Sequence, residues 1–347
     1  MHKNGYTALI GTNTMRDSLG IYTVFIDGDT LQGEIKYTER AYNTGALALS
    51  SDGKSLYAAS EGMSFMGYAS GGVMAYTVED DGKLTYRNGV PVWGQRPCSL
   101  ALDEGKQMLC SANFFGGNLS MIPLKEDGSV DAVKKIITAP KPEHWLHAMH
   151  WVEVLEDGAF LAAINVAQSE LSIYDAETGE RVTGYCFGER IFARAVVSYG
   201  PYIYAMLQDP GEIYVFRNTL KENRKIELIQ RILVLEGFEG RCAASVIRIS
   251  PDGKIVLAAS REQNKLTVFR RSEDGILSYA NQYDLPGDTA RDFMISEDGR
   301  IVVIAMQFSD TILIYEINEE TAELTLKQSD LKICSPAAVV IRKEEHA

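Results

Sequence analysis

Asp-Gly pairs recur along this chain between apolar runs, and that recurrence restricts the fold more than any other feature. Asp52-Gly53, Asp157-Gly158, Asp252-Gly253 and Asp298-Gly299 form one series; Asp103-Glu104-Gly105 is a looser copy and Tyr199-Gly200 a degenerate one. The glycines at 53, 105, 158, 200, 253 and 299 stand 52, 53, 42, 53 and 46 residues apart. A period of roughly 40 to 50 residues is that of a propeller blade. Runs such as Val246-Ile247-Arg248-Ile249 precede the turns, and runs such as Leu56-Tyr57-Ala58-Ala59 and Ile301-Val302-Val303-Ile304 follow them. Asp-Gly between two such runs signals a hairpin. A third, alternating run comes next, as in Leu266-Thr267-Val268-Phe269 and Ile312-Leu313-Ile314-Tyr315. A second turn series follows it: Asp80-Asp81-Gly82, Glu126-Asp127-Gly128, Glu177-Thr178-Gly179 and Glu273-Asp274-Gly275, with Glu319-Glu320-Thr321-Ala322 in the same place but without glycine. Leu84, Val130 or Leu277 then opens a fourth strand, so each unit reads as a four-stranded antiparallel meander.

The first unit lacks its opening strand. Thr7–Ile10 and Ile21–Phe25 match second and third strands, while Ala337–Ile341 at the far end has no partners of its own. Pairing these ends completes a seventh blade and removes an open sheet edge. The expectation is an all-β, seven-bladed β-propeller spanning 1–347 as a single domain. No amphipathic helix pattern supports an α/β alternative, a β-sandwich would not repeat with this period, and no Trp-Asp pair marks the strand ends as in a WD-repeat propeller.

Composition excludes several classes of function. Hydrophobic residues make up 46% of the chain, enough for a large core, yet no run approaches the ~20 apolar residues that span a bilayer. Residues Met1–Thr14 lack a signal-peptide pattern. Five scattered cysteines, Cys98, Cys110, Cys186, Cys242 and Cys334, read as reduced thiols, so a cytoplasmic location is expected. A net charge of −13 repels phosphate backbones, so neither nucleic acid nor membrane is an expected partner. A small anionic metabolite in a locally basic pocket remains compatible with that charge; no protein partner is indicated.

In a propeller, the starts of the inner strands and the ends of the second strands surround a funnel. Eight residues before Gly158 and Gly299 stand His150 and Arg291; Arg194 lies six before Gly200, and Arg96-Pro97 takes a similar place in the third unit. At the ends of second strands stand Glu61, Asn113, Asn165, Gln208, Arg261 and Gln307. These polar residues differ from unit to unit while the apolar positions repeat, which points to one asymmetric pocket. Arginine suits carboxylate or phosphate because its planar fork donates two parallel hydrogen bonds. Glu61 reads as an acid or as an arginine's ion-pair partner. Asp209 should point away from its neighbour Gln208. The Asp-Gly pairs are explained by turns, and His144 and His147 around Trp145 lack partners at zinc-ligand spacing, so no metal and no cofactor are expected.

At these residues the chain resembles the lactonase family of seven-bladed propellers, which includes bacterial 6-phosphogluconolactonase and carboxymuconate cyclase. The resemblance rests on Gly11-Thr12-Asn13-Thr14, Leu56-Tyr57-Ala58-Ala59-Ser60-Glu61, Ala112-Asn113-Phe114-Phe115-Gly116-Gly117, Ser250-Pro251-Asp252-Gly253 with Ser260-Arg261, and Ala290-Arg291-Asp292-Phe293 with Ala305-Met306-Gln307. It implies a hydrolase of carbohydrate metabolism that opens a small anionic sugar lactone. His150, Arg194 and Arg291 would be its catalytic residues, and Glu61, Asn113, Gln208, Arg261 and Gln307 would bind substrate. The chain departs from the family pattern where Ala148-Met149-His150 replaces a His-x-His pair, where Ala195 replaces a histidine, and where Gln208 replaces a glutamate. A glutamine cannot transfer a proton as a glutamate does. Two alternatives therefore stay open: a cycloisomerase or lactonase acting on another carboxylic acid, and a non-catalytic propeller that binds a metabolite or a protein.

Overall fold

The computed structural model describes residues 5–62, 69–140 and 147–344. Its strands form seven four-stranded antiparallel sheets, the blades of a propeller. The first strand of each blade faces its counterparts in the two neighbouring blades, so the inner strands ring a central channel. They are Leu47–Leu49, Pro97–Asp103, Met149–Leu155, Phe192–Tyr199, Ala244–Ile249 and Ala290–Ile295 in blades 2 to 7, and Pro336–Lys343 in blade 1. The last of these comes from the C-terminal end and pairs antiparallel with Gly5–Thr12, which closes the ring as the split repeat predicts. The helical content is one short α-helix, Leu220–Asn223, and one 3-10 turn, Val166–Gln168, among the described residues.

The Asp-Gly turns explain themselves locally. In three of them a serine two residues ahead donates to the aspartate, at 2.6 Å for Ser50–Asp52, Ser250–Asp252 and Ser296–Asp298. The same serines accept backbone N–H groups from Ser55, Ile255 and Ile301. The glycine supplies a left-handed backbone, with φ of +67°, +74° and +73° at Gly53, Gly253 and Gly299. Where the second series lacks glycine, Ala322 adopts φ +59° instead.

One hydrophobic cluster fills each gap between adjacent blades. Blades 4 and 5 share Ile164, Ile173, Val196 and Phe216; blades 6 and 7 share Leu257, Val268, Phe293 and Leu313. The closing strand obeys the same rule on both of its faces. Val339 and Ile341 pack with Ile301, Val303 and Ile314 of blade 7, and Val340 packs with Leu9 and Leu56 toward blade 2. Flat sheets that bury both faces against neighbours account for the long apolar second strands, such as Ile301–Met306, buried throughout.

Candidate functional site

The channel acquires its chemistry from one repeated irregularity. In blades 3 to 7 the inner strand pairs with the second strand in a register that skips a single residue near its start. The skipped residues are Cys98, His150, Arg194, Ser245 and Arg291. Blade 1 skips Ala337 in the same way. Such a bulge leaves one residue out of the ladder and re-aims its side chain. All six skipped residues, with Ala46 of blade 2, line one cavity at this mouth of the channel. The propeller thus presents one side chain per blade to a common point, and these side chains are free to differ because none of them is needed for pairing.

Three arginines converge here. Arg194 Nε donates to the Ser245 carbonyl at 2.8 Å, and its Nη1 donates to Gln208 Oε1 at 3.0 Å. Arg261 Nη2 donates to the same Gln208 oxygen at 2.7 Å. One neutral amide therefore holds two guanidiniums side by side. Arg291 lines the cavity and meets no hydrogen-bond acceptor among the described residues. None of the three forms an ion pair with a described carboxylate. Burial first, then repulsion from neighbouring arginines (Arg96 in the case of Arg291), pushes all three below the ordinary arginine value, Arg261 to about 10. The available acids are committed elsewhere. Glu61 accepts from Arg96 Nε at 2.9 Å, Asp209 pairs with Arg241 at 3.3 Å, and Asp292 pairs with Arg248 at 2.8 Å.

His150 is buried between Phe114 and Phe192, with ring centroids 5.5 and 6.0 Å away. Its Nδ1 has no hydrogen-bond partner among the described residues. Burial, then the charges of Arg194, Arg291 and Arg261, hold its pKa well below the usual 6.5. The ring is consequently neutral at neutral pH and can accept a proton. The neighbouring Cys98 is also buried, and burial pushes its thiol up to about 12, so it is no nucleophile at neutral pH.

His150, Arg194 and Arg291, chosen from sequence, meet at this cavity, and Arg261 joins them through Gln208. The other choices sit differently. Glu61 is an ion-pair partner at the funnel rim, the second of its two readings; Asn43 Nδ2 also donates to it, at 3.2 Å. Asn113 is fully buried within blade 3, where its amide donates to Asn118 at 2.7 Å and Ser120 at 2.9 Å and accepts from Ser111 at 3.0 Å. Gln307 is buried just past the end of its second strand and is not among the residues that line the cavity. Arg96 is not the blade 3 counterpart of His150; that place belongs to Cys98, and Arg96 instead stacks near Phe114 and Phe115, 5.9 and 5.6 Å from their centroids. His144 and Trp145 lie outside the described residues, and His147 Nε2 is hydrogen-bonded with the Ala139 carbonyl at 3.1 Å.

Sequence reasoning missed Ser245, Trp151, Arg248 and Asp292. Ser245 stands eight residues before Gly253, the same offset as His150 and Arg291, so the signal was present. Arg248 and Asp292, from the neighbouring inner strands of blades 6 and 7, form a pair that itself lines the cavity, and Asp292 also accepts the Val339 N–H of the closing strand at 2.9 Å.

The fold and this mouth define a seven-bladed propeller with a basic central site around a neutral histidine. The chain belongs to the lactonase family: the family model "Lactonase, 7-bladed beta-propeller" matches residues 7–341. A 6-phosphogluconolactonase of Bacillus subtilis is 24% identical over 96% of this chain and 97% of its own length. A 6-phosphogluconolactonase of Serratia proteamaculans is 29% identical over 73% of this chain and 77% of its own. The solved structure of a periplasmic gluconolactonase from Pseudomonas aeruginosa superposes with a TM-score of 0.86, at 21% identity, covering 97% of this chain and 99% of that one.

Proposed function

We propose that this chain hydrolyses a small anionic sugar lactone, with 6-phosphogluconolactone the leading substrate. The observation that carries the reading is the set of three arginines, Arg194, Arg261 and Arg291, gathered without a carboxylate partner beside a neutral, buried histidine. Positive charge concentrated inside a chain of net charge −13 calls for an anion from outside. The names of the Bacillus and Serratia relatives support the same substrate class.

The cavity between the bulge residues holds about 70 Å³, room for a head group of a few heavy atoms. The rest of a sugar acid would lie in the wider funnel, where a hollow of about 410 Å³ opens beside Glu61, Arg96 and Phe115. Water attacks the lactone carbonyl while His150 takes its proton. An arginine faces the developing oxyanion, and the ring C–O bond breaks as the histidine returns the proton to the departing oxygen. A histidine with a depressed pKa is available as a base but a weak one. A bound anion among the arginines screens their charge and raises its basicity, so substrate binding itself primes the base.

Turnover of 6-phosphogluconolactone above its spontaneous hydrolysis rate, with unphosphorylated gluconolactone much slower, is the expected result. A panel of other lactones and muconates separates this substrate from another carboxylic acid. A second reading, ligand binding without turnover, is favoured by one observation: no carboxylate orients His150, whose Nδ1 has no partner among the described residues. Under that reading 6-phosphogluconate raises the Tm while the lactone hydrolyses at its spontaneous rate.

A further inference from the structure

The channel has a second mouth of opposite character. Below the Arg248–Asp292 pair it widens into a cavity of about 590 Å³. Leu49, Leu102, Trp151 and Met294 are among its apolar walls. Among the described residues its only basic lining residue is Arg248, already paired with Asp292 at 2.8 Å and lying 5.1 Å from the centroid of the Trp151 ring. Two carboxylates line it as well, Glu297 at the rim and Glu153 further in. Glu153 Oε1 accepts from Ser198 N at 3.2 Å and from Ser198 Oγ at 3.0 Å. No described donor meets its Oε2, and no ion pair neutralises it.

A half-buried carboxylate with one oxygen anchored and the other unbonded, set in an apolar wall, matches a ligand with a charged nitrogen head and a hydrocarbon body. We propose that this second cavity binds an organic ammonium ion, its head on Glu153 and its chain against Trp151, Met294 and the leucines. The charge balance favours this class. Arg248 and Asp292 cancel, so Glu153 and Glu297 leave the mouth negative, while the opposite mouth carries three unpaired arginines. Burial pushes Glu153 up to about 7, against the opposing pull of the Ser198 hydrogen bonds and the charge of Arg248. An ammonium arriving at its free oxygen supplies that cation and a charge-assisted hydrogen bond.

Calorimetric titration of the full chain with hexylammonium chloride at pH 8 and low salt tests this. The expected result is saturable one-to-one binding, weakened about tenfold in Glu153→Gln, which keeps an acceptor for Ser198 but loses the charge. Leu102→Trp fills the cavity with Glu153 intact and abolishes binding. A cooperative thermal melt and an unchanged far-UV circular dichroism spectrum, measured in parallel, are retained in both variants and show that they are folded. Three outcomes overturn the proposal: no saturable binding to the wild type, binding indifferent to both substitutions, or equal affinity for 1-hexanol.

Discussion

Gln208 joins two guanidiniums through one oxygen, and its neutrality sets the charge of the whole site. A glutamate there would hold Arg194 and Arg261 in the same geometry while cancelling one positive charge. Gln208→Glu should therefore weaken 6-phosphogluconate by about tenfold, the scale of one charge-assisted interaction, and raise the Tm of the ligand-free protein. Calorimetry and thermal melts read the two effects separately. The same charges govern His150. At pH 6.5, where an ordinary histidine is half protonated, its ring should give the 13C NMR shift of the neutral form. Arg291→Ala removes a positive neighbour, so the titration should move up toward 6.5; a titration unmoved by that change would mean the arginine does not act on the ring.

At the scale of the strand, the bulge is what converts a repeat into a site. Two expectations follow from packing. Phe293 is wholly buried between blades 6 and 7, so Phe293→Ala should cost about 3–5 kcal/mol in denaturant unfolding. Val339 on the closing strand touches blade 7 and donates its N–H to Asp292, so Val339→Asp places an unpaired charge at the seam and should lower the Tm far more than an exposed change such as Phe115→Ala. The blades were legible in the sequence because hairpin turns and alternating apolar runs are local signals. His150 and Arg291 were legible because they keep a fixed offset from an Asp-Gly turn. Cys98 was not: its offset differs by one, and the nearby Arg96 carried the more conspicuous charge. Asn113 and Gln307, also chosen from sequence, do not line the cavity. Both stand at or just past the ends of second strands, one strand out from the inner strands whose bulge residues line the cavity. Arg248 and Asp292 escaped because they come from different blades, and their pairing exists only once the ring has closed.

Across the whole molecule the channel is electrically polar, with three unpaired arginines at one mouth and unpaired carboxylates at the other. Anion affinity at the arginine mouth should fall as ionic strength rises, although less steeply than for a surface site, because buried charges are screened less. The carboxylate mouth imposes a pH dependence of its own. Glu153 has a folded-state pKa of about 7 against an ordinary 4.5, so its contribution to stability is present below 4.5 and lost as pH rises through 7. Glu153→Gln should accordingly raise the Tm at pH 8 and lose that advantage near pH 4.5. At the other mouth, a neutral base stands among unpaired positive charges. The most direct test is the initial rate of 6-phosphogluconolactone hydrolysis in the wild type and in His150→Gln, each compared with the spontaneous rate. A wild-type rate above spontaneous that drops about 10²–10⁴-fold in His150→Gln, with 6-phosphogluconate still binding the variant, is the predicted result. A wild-type rate equal to the spontaneous one, or a variant as fast as the wild type, would contradict it.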